Sequence, residues 1–174
     1  MFTTNYYRLL ANYVSGSAFP YQHGLVMYDG SINNSFTQPD PQLWRSSSTA
    51  YAANMNAVTS LAKQNGGVMF GDGDTSPTTA DYKLAGNVID GLTATITRTV
   101  AMDNNGFSMP VTYAITNSNS EAVTIKEVGI IASKGQWEAD KVLLERTVLD
   151  APVTIPAGGV GQIVYTIELP FQTA

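Results

Sequence analysis

The stretch LTATITRTVAMDNNGFSMPVTYAITN, residues Leu92–Asn117, decides the fold. In its first arm Leu92, Ala94 and Ile96 fall on one side and Thr93, Thr95 and Thr97 on the other. That period of two belongs to a strand with one face buried and one wet. Asp103-Asn104-Asn105-Gly106 is a turn signal, so Leu92–Met102 is expected to pair with Phe107–Asn117 as a hairpin. In the second arm Val111, Tyr113 and Ile115 share a face. A hairpin with one apolar face must bury that face against another layer.

Working downstream, Asn117–Ser120 makes the next turn and AVTIKEVGIIAS (Ala122–Ser133) the next strand, with Gly129 expected at a bulge or a close approach. Lys134-Gly135 turns the chain again. Lys141–Val148 and Gly161–Leu169 complete the set, joined through Pro152 and Pro156-Ala-Gly-Gly. Strands spaced by turns, with no helices between them, predict an all-β fold: a mainly antiparallel β-sandwich, Ig-like or jelly-roll-like, clearest over residues 88–170. Strict alternation places Glu127, Glu145 and Glu168 on solvent faces, Arg146 outward and Val148 inward. Pro152 and Pro156 donate no ladder bond, which assigns their segment to an edge or a crossover. Proline at an edge also blocks uncontrolled strand addition.

Upstream, Thr3–Val14 winds as a short helix capped by Thr4, with Tyr6, Leu9, Leu10, Tyr13 and Val14 in one apolar stripe. The stripe implies docking, on the same domain or on a neighbouring subunit. HGLVMYDG (His23–Gly30) is a strand closed by an Asp-Gly turn. Ser31–Ser48 is loop-like, anchored by Phe36, Leu43 and Trp44. Tyr51–Lys63 reads as a strand and turn, with a short helix as the other reading. VMFGDG after Gly67 is a short strand, and Asp74–Gly86 a polar loop anchored by Leu84. The division expected is an N-terminal arm or helix over 1–20 and a single sandwich domain over 21–174.

Composition narrows the function. At 174 residues, a domain buries roughly 70% of its unfolded surface without disulfide or metal. The net charge of −5 and the dispersed Lys and Arg residues argue against a phosphate-tracking surface. With no Cys there is no thiolate zinc site and no thiol nucleophile. No apolar run reaches the length of a membrane span, and MFTTNYYRLLANYV lacks the pattern of a signal peptide. Charged residues make up 13% of the chain, against about a quarter in ordinary domains. A surface of hydroxyls and amides costs less to desolvate in an assembly than one rich in Lys and Glu.

The candidate chemistry is thin. Asp72-Gly73-Asp74 alternates carboxylates around glycine, but an EF-hand begun at Asp72 needs Gly and Glu where Pro77 and Lys83 stand. A turn in which the aspartates bond backbone is the favoured reading; a cation site completed by Asp81 is the other. His23 is the sole imidazole and has no acid beside it in sequence. No nucleophile elbow or phosphate-loop spacing occurs. Tyr21, Tyr28, Trp44 and Trp137 offer sugar-stacking faces, or else core and interface anchors. No catalytic residue, cofactor or metal is expected.

Three segments carry a resemblance: FGDGDTSPTTADYKLAG (Phe70–Gly86), VTYAITNSNSEAVTIKEVGIIAS (Val111–Ser133) and LLERTVLDAPVTIPAGGVGQIVYTIEL (Leu143–Leu169). Their G-x-G-x-x-x-P…D-Y-x-L, Y-x-I-T-N…I-x-E-V-G and L-L-x-R-T-V-L…P-V-T-I-P-A-G patterns resemble a group of virion structural proteins of tailed bacteriophages and prophages. The opening MFTTNYYRLLANYV is similar to openings in gut-phage proteins. The resemblance implies a β-sandwich subunit present in several copies, in the head exterior, the head–tail connector or the tail and fibre apparatus. Such a subunit assembles in the host bacterial cytoplasm, with copies of itself and other virion proteins as partners and neither nucleic acid nor membrane. Tyr6, Leu9, Leu10, Tyr13, Phe36 and Trp44 are then the expected assembly interface. The rival reading is a receptor- or glycan-binding module on the virion surface, touching host glycan through Tyr28, Trp44 and Trp137.

Overall fold

A computed structural model describes residues 1–8, 24–33, 67–99, 101–102, 106–133 and 141–170. They form antiparallel β-sheets with one short helical turn over residues 4–8. The strands are β1 (Leu25–Val26), β2 (Ile32–Asn33), β3 (Gly67–Gly71), β4 (Leu92–Arg98), β5 (Ala101–Met102), β6 (Gly106–Asn117), β7 (Val123–Ser133), β8 (Lys141–Ile155) and β9 (Val160–Pro170). The chain divides into two compact units, Met1–Ile89 with Ile125–Pro152, and Asp90–Thr124 with Val153–Ala174.

The first unit holds a sheet in the order β3-β7-β8. β3 and β7 pair from Gly67↔Ile131 to Gly71↔Glu127 without a slipped residue. All five residues of β3 are buried, as is β7 from Glu127 to Ala132. Both faces are thus covered, as uninterrupted apolar runs require. Tyr28, Met69, Leu84, Ile131 and Leu143 pack as one core cluster, with Leu84 anchoring its polar loop as expected. Gly129 is a close approach, since a Cβ there would lie 2.7 Å from Leu84 Cδ2 and 3.1 Å from Leu143 Cδ1. The even register leaves no bulge there against β3.

Other segments lie along the two outer strands. Residues 87–89 run beside β3, with Ile89 N–H donating to the Phe70 carbonyl (2.9 Å), Asp72 N–H to that of Asn87 (3.2 Å) and a bridge between Gly71 and Val88. Residues 1–3 run beside β8: Thr3 N–H donates to Leu144 (2.9 Å), Arg146 N–H to Met1 (3.1 Å), and Phe2 bridges Glu145. The helical turn then starts from the Thr3 carbonyl, which accepts from Tyr6 at 3.1 Å. Thr4 is therefore not the side-chain cap; its N–H and hydroxyl both bond the Thr79 carbonyl. Asn5 exchanges two hydrogen bonds with the Val26 backbone, at 2.8 and 3.0 Å, holding the β1–β2 hairpin. That hairpin closes at Asp29-Gly30, where Gly30 takes φ 86° and the Asp29 carboxylate accepts from Ser31 N–H. Residues 1–8 are part of this unit and do not stand off as an arm.

The second unit is built around β6. β9 pairs along it from Gly106↔Pro170 to Thr116↔Val160, and β4 and β5 pair along its other side. The hairpin read from the sequence is present. Met109, Val111, Tyr113 and Ile115 are fully buried, whereas Thr93, Thr95 and Thr97 are exposed. The break between β4 and β5 has a cause at Pro110. Its carbonyl accepts from Thr99 N–H (3.2 Å), but proline has no N–H to return the bond. The β9 ladder is uninterrupted because its bonds come from the odd-numbered residues of β6.

Candidate functional site

The charged residues of the first unit converge where the loop after β3 meets β7 and β8. Glu127 is fully buried, and its two carboxylate oxygens take four donors. Oε1 accepts from Gly73 N–H (3.2 Å) and Gly86 N–H (2.8 Å). Oε2 accepts from Ala85 N–H (3.1 Å) and from Arg146 Nε (2.6 Å). Arg146 is buried as well; its other nitrogens reach Asp81 Oδ2 (2.8 Å) and the Thr75 carbonyl (2.7 Å). Asp81 is completed by Thr78, whose N–H and hydroxyl donate at 3.0 and 2.7 Å.

The chain brings these groups together through its glycines. Gly73 and Gly86 sit back to back, so that a Cβ on either would strike the other's backbone nitrogen. Only there can two strands of the loop close on a single carboxylate. Asp72 ties the same crossing from outside, accepting from Asn87 N–H at 2.7 Å and its side-chain amide at 3.3 Å. Asp74 pairs with Lys126 at 3.1 Å on the surface. Asp72 thus bonds the distant Asn87 and Asp74 a lysine, so the motif is not the local turn expected of it; no cluster of metal-ligand residues occurs among the described residues.

The electrostatics favour the ionised forms of Asp81 and Arg146. Burial alone would raise the Asp81 carboxyl, but the Thr78 hydrogen bonds and the Arg146 guanidinium outweigh it and hold it below the usual range. Burial pulls the Arg146 guanidinium down, and its bonds to Glu127 and Asp81 more than offset that. No buried side-chain nitrogen or oxygen among the described residues lacks a partner, so the cluster can act as a strut fixing the loop, and Glu127 has no face open to solvent.

Three expectations are overturned here. Glu127 and Glu145 are buried, and only Glu168 of the three is exposed. Arg146 points inward, and Val148 is half-buried. The physical reason is that Leu143 and Arg146, three apart in β8, both turn towards the loop after β3, so strict alternation does not hold between them. Glu145 takes the Thr147 hydroxyl at 2.7 Å and the Met1 ammonium. A signal for these residues exists: Glu127 borders the apolar run Val128–Ala132, and Glu145-Arg146 follows Val142-Leu143-Leu144. A charge adjoining a run with no polar alternate sits on a strand covered on both faces.

The residues expected to make contacts are spread differently. Tyr6 is buried in its own unit and stacks on Phe2 with ring centroids 4.2 Å apart, while neighbouring Tyr7 is exposed. Tyr28 is a core residue whose hydroxyl accepts from Leu84 N–H (3.2 Å), which closes it to a sugar. Leu9, Leu10, Tyr13, Tyr21, His23, Phe36, Trp44 and Trp137 lie outside the described residues. Sequence reasoning missed a second polar hub in the other unit. Asn117 is fully buried; its amide donates to the carbonyls of Glu121 (2.8 Å), Ile155 (3.1 Å) and Pro156 (3.1 Å), and its oxygen accepts from Asn119 N–H (3.0 Å).

No family model, no curated protein and no solved structure matches this chain.

Proposed function

We propose that this chain is a non-enzymatic structural subunit of a tailed-phage virion, used in several copies and working through the surfaces it presents. One observation carries the reading: the phage-like patterns contain the central residues of both polar hubs and the core contacts beside them. Gly71, Gly73, Asp81 and Leu84 come from the first pattern, Asn117, Glu127 and Gly129 from the second, and Leu143 and Arg146 from the third. Those of the first unit each meet another of them, and Asn117 meets Ile155 and Pro156 of the third pattern. A pattern whose charged members are consumed in bonding one another specifies a scaffold, and the exposed surface is left to specify contacts.

The charged residues that these patterns specify, Asp81, Glu127 and Arg146, are bonded to one another, which supports a non-catalytic reading. The experiment is mass spectrometry and cryo-electron microscopy of purified particles from a lysogen or phage encoding this chain. The expected result is the chain at stoichiometric, symmetric positions. Its absence from intact particles overturns the proposal, and density only at receptor-contacting tips, with binding on a glycan array, would favour the glycan-recognition alternative.

A further inference from the structure

The two sheets treat their edges differently. Residues 87–89 and 1–3 lie along the outer strands of the first sheet, and β8 also carries Lys141, Asp150 and Pro152. In the second sheet, β9 pairs with β6 alone among the described strands. β9 is an 11-residue edge. It has no Lys and no internal Pro, and its register against β6 shows no bulge. These are the devices by which natural edges prevent strand addition.

The groups on that edge can be named. Because Pro110 bonds Thr99, the even residues of β6 face β4 and β5 and its odd residues face β9. Antiparallel partners exchange both bonds, so Tyr165 and Ile163 turn their backbone groups to Val111 and Tyr113. The outward N–H and C=O groups are those of Gln162, Val164, Thr166 and Glu168. The side chains of these four are exposed, Val164 at 57%.

We infer that the outer edge of β9 is a homotypic docking site, taking β9 of a second copy antiparallel about a two-fold axis at Tyr165. The occupant follows from self-complementarity. About that axis Val164 stands opposite Thr166 and Gln162 opposite Glu168, all four as hydrogen-bonded pairs. Glu168 is the only Asp, Glu, Lys or Arg in β9. The two-fold register sets it against an amide donor instead of its own copy, avoiding the like-charge cost of direct opposition. A strand with a single charge and β-branched residues at its centre suits its own copy better than a highly charged peptide, and a two-fold contact closes instead of growing into a fibre. This deepens the proposed virion role by naming where a second copy docks, but its test needs no particle.

The test is sedimentation of the purified full chain over a concentration series, with backbone hydrogen exchange read at residues 162–168. A monomer–dimer equilibrium is expected, in which the amides of Gln162, Val164, Thr166 and Glu168 gain protection as concentration rises. Val164→Pro deletes an outward N–H and spares the β6 ladder, so dimerisation should weaken about tenfold to a hundredfold, from two lost bonds per dimer. Val164→Lys, which keeps the N–H and adds an edge charge, should weaken it with the circular dichroism spectrum unchanged. A chain that stays monomeric, outward amides already protected in the monomer, or a dimer indifferent to both substitutions would each overturn the inference. Particle incorporation is read separately, so failure here leaves the virion proposal standing.

Discussion

The two units solve one problem, holding antiparallel strands together, with different chemistry. The first buries Glu127 and Arg146 and uses them to pin a long loop. The second buries no charged side chain among its described residues; it relies on alternation along β6 and on the neutral amide of Asn117. The difference follows from what each must restrain. The loop of residues 72–87 approaches its strands through backbone N–H groups of Gly73, Ala85 and Gly86, and a carboxylate satisfies several such donors at once. The turn after β6 and the end of β8 offer carbonyls instead, from Glu121 and from Ile155 and Pro156, and an amide NH₂ group answers those.

The sharpest way to break the contrast is Arg146→Met. It keeps the volume but leaves Glu127 and Asp81 without their cation, so chemical denaturation should show a loss of about 3–5 kcal/mol. A loss below about 1 kcal/mol would mean that the strut is dispensable and the units are alike. The matching lesion in the second unit, Asn117→Ala, removes no charge. It removes a donor from the buried Ile155 carbonyl and should cost about 1–3 kcal/mol by the same measurement. An equal or larger loss than for Arg146→Met would reverse the comparison.

Acid gives the smallest and most selective effect. The Asp81 carboxyl is held below its unfolded value, so its contribution is present above that value, about pH 4. It disappears as pH falls through the lowered folded value. Asp72, lowered by its bonds to Asn87, acts in the same direction. Amide protection relative to the intrinsic exchange rate, followed from pH 5 downward, should therefore fall around residues 72–87 before it does along β6. Simultaneous loss in both regions would show that the loop is not held by its carboxylates.

The second unit was the more legible of the two in the sequence, for a physical reason. Leu92–Asn117 has one wet face, so period-two patterning reports the side chains directly: Thr93, Thr95 and Thr97 out, Val111, Tyr113 and Ile115 in. β7 from Glu127 onward and the first half of β8 are covered on both sides, and alternation carries no information about them. Arg146 was misplaced for that reason, and Glu127 with it. The strut also joins residues 65 and 19 positions apart, Arg146 with Asp81 and with Glu127, a pairing no local pattern encodes. Leu84 and Gly129 could be read locally, since an apolar residue in a polar loop must anchor and a glycine in an apolar strand must admit something. They proved to be the two halves of one contact.

Pro110 has a consequence for how the second unit comes apart. On the β9 side its strand is zipped without interruption, but on the other side the seam is cut opposite Thr99. The two-residue β5 can detach while the seven-residue β4 stays fastened, which gives this sheet a graded tear instead of an all-or-none one. Strain applied at the Gly106 end is released at a stitch already missing, before it reaches the buried row from Val111 to Asn117.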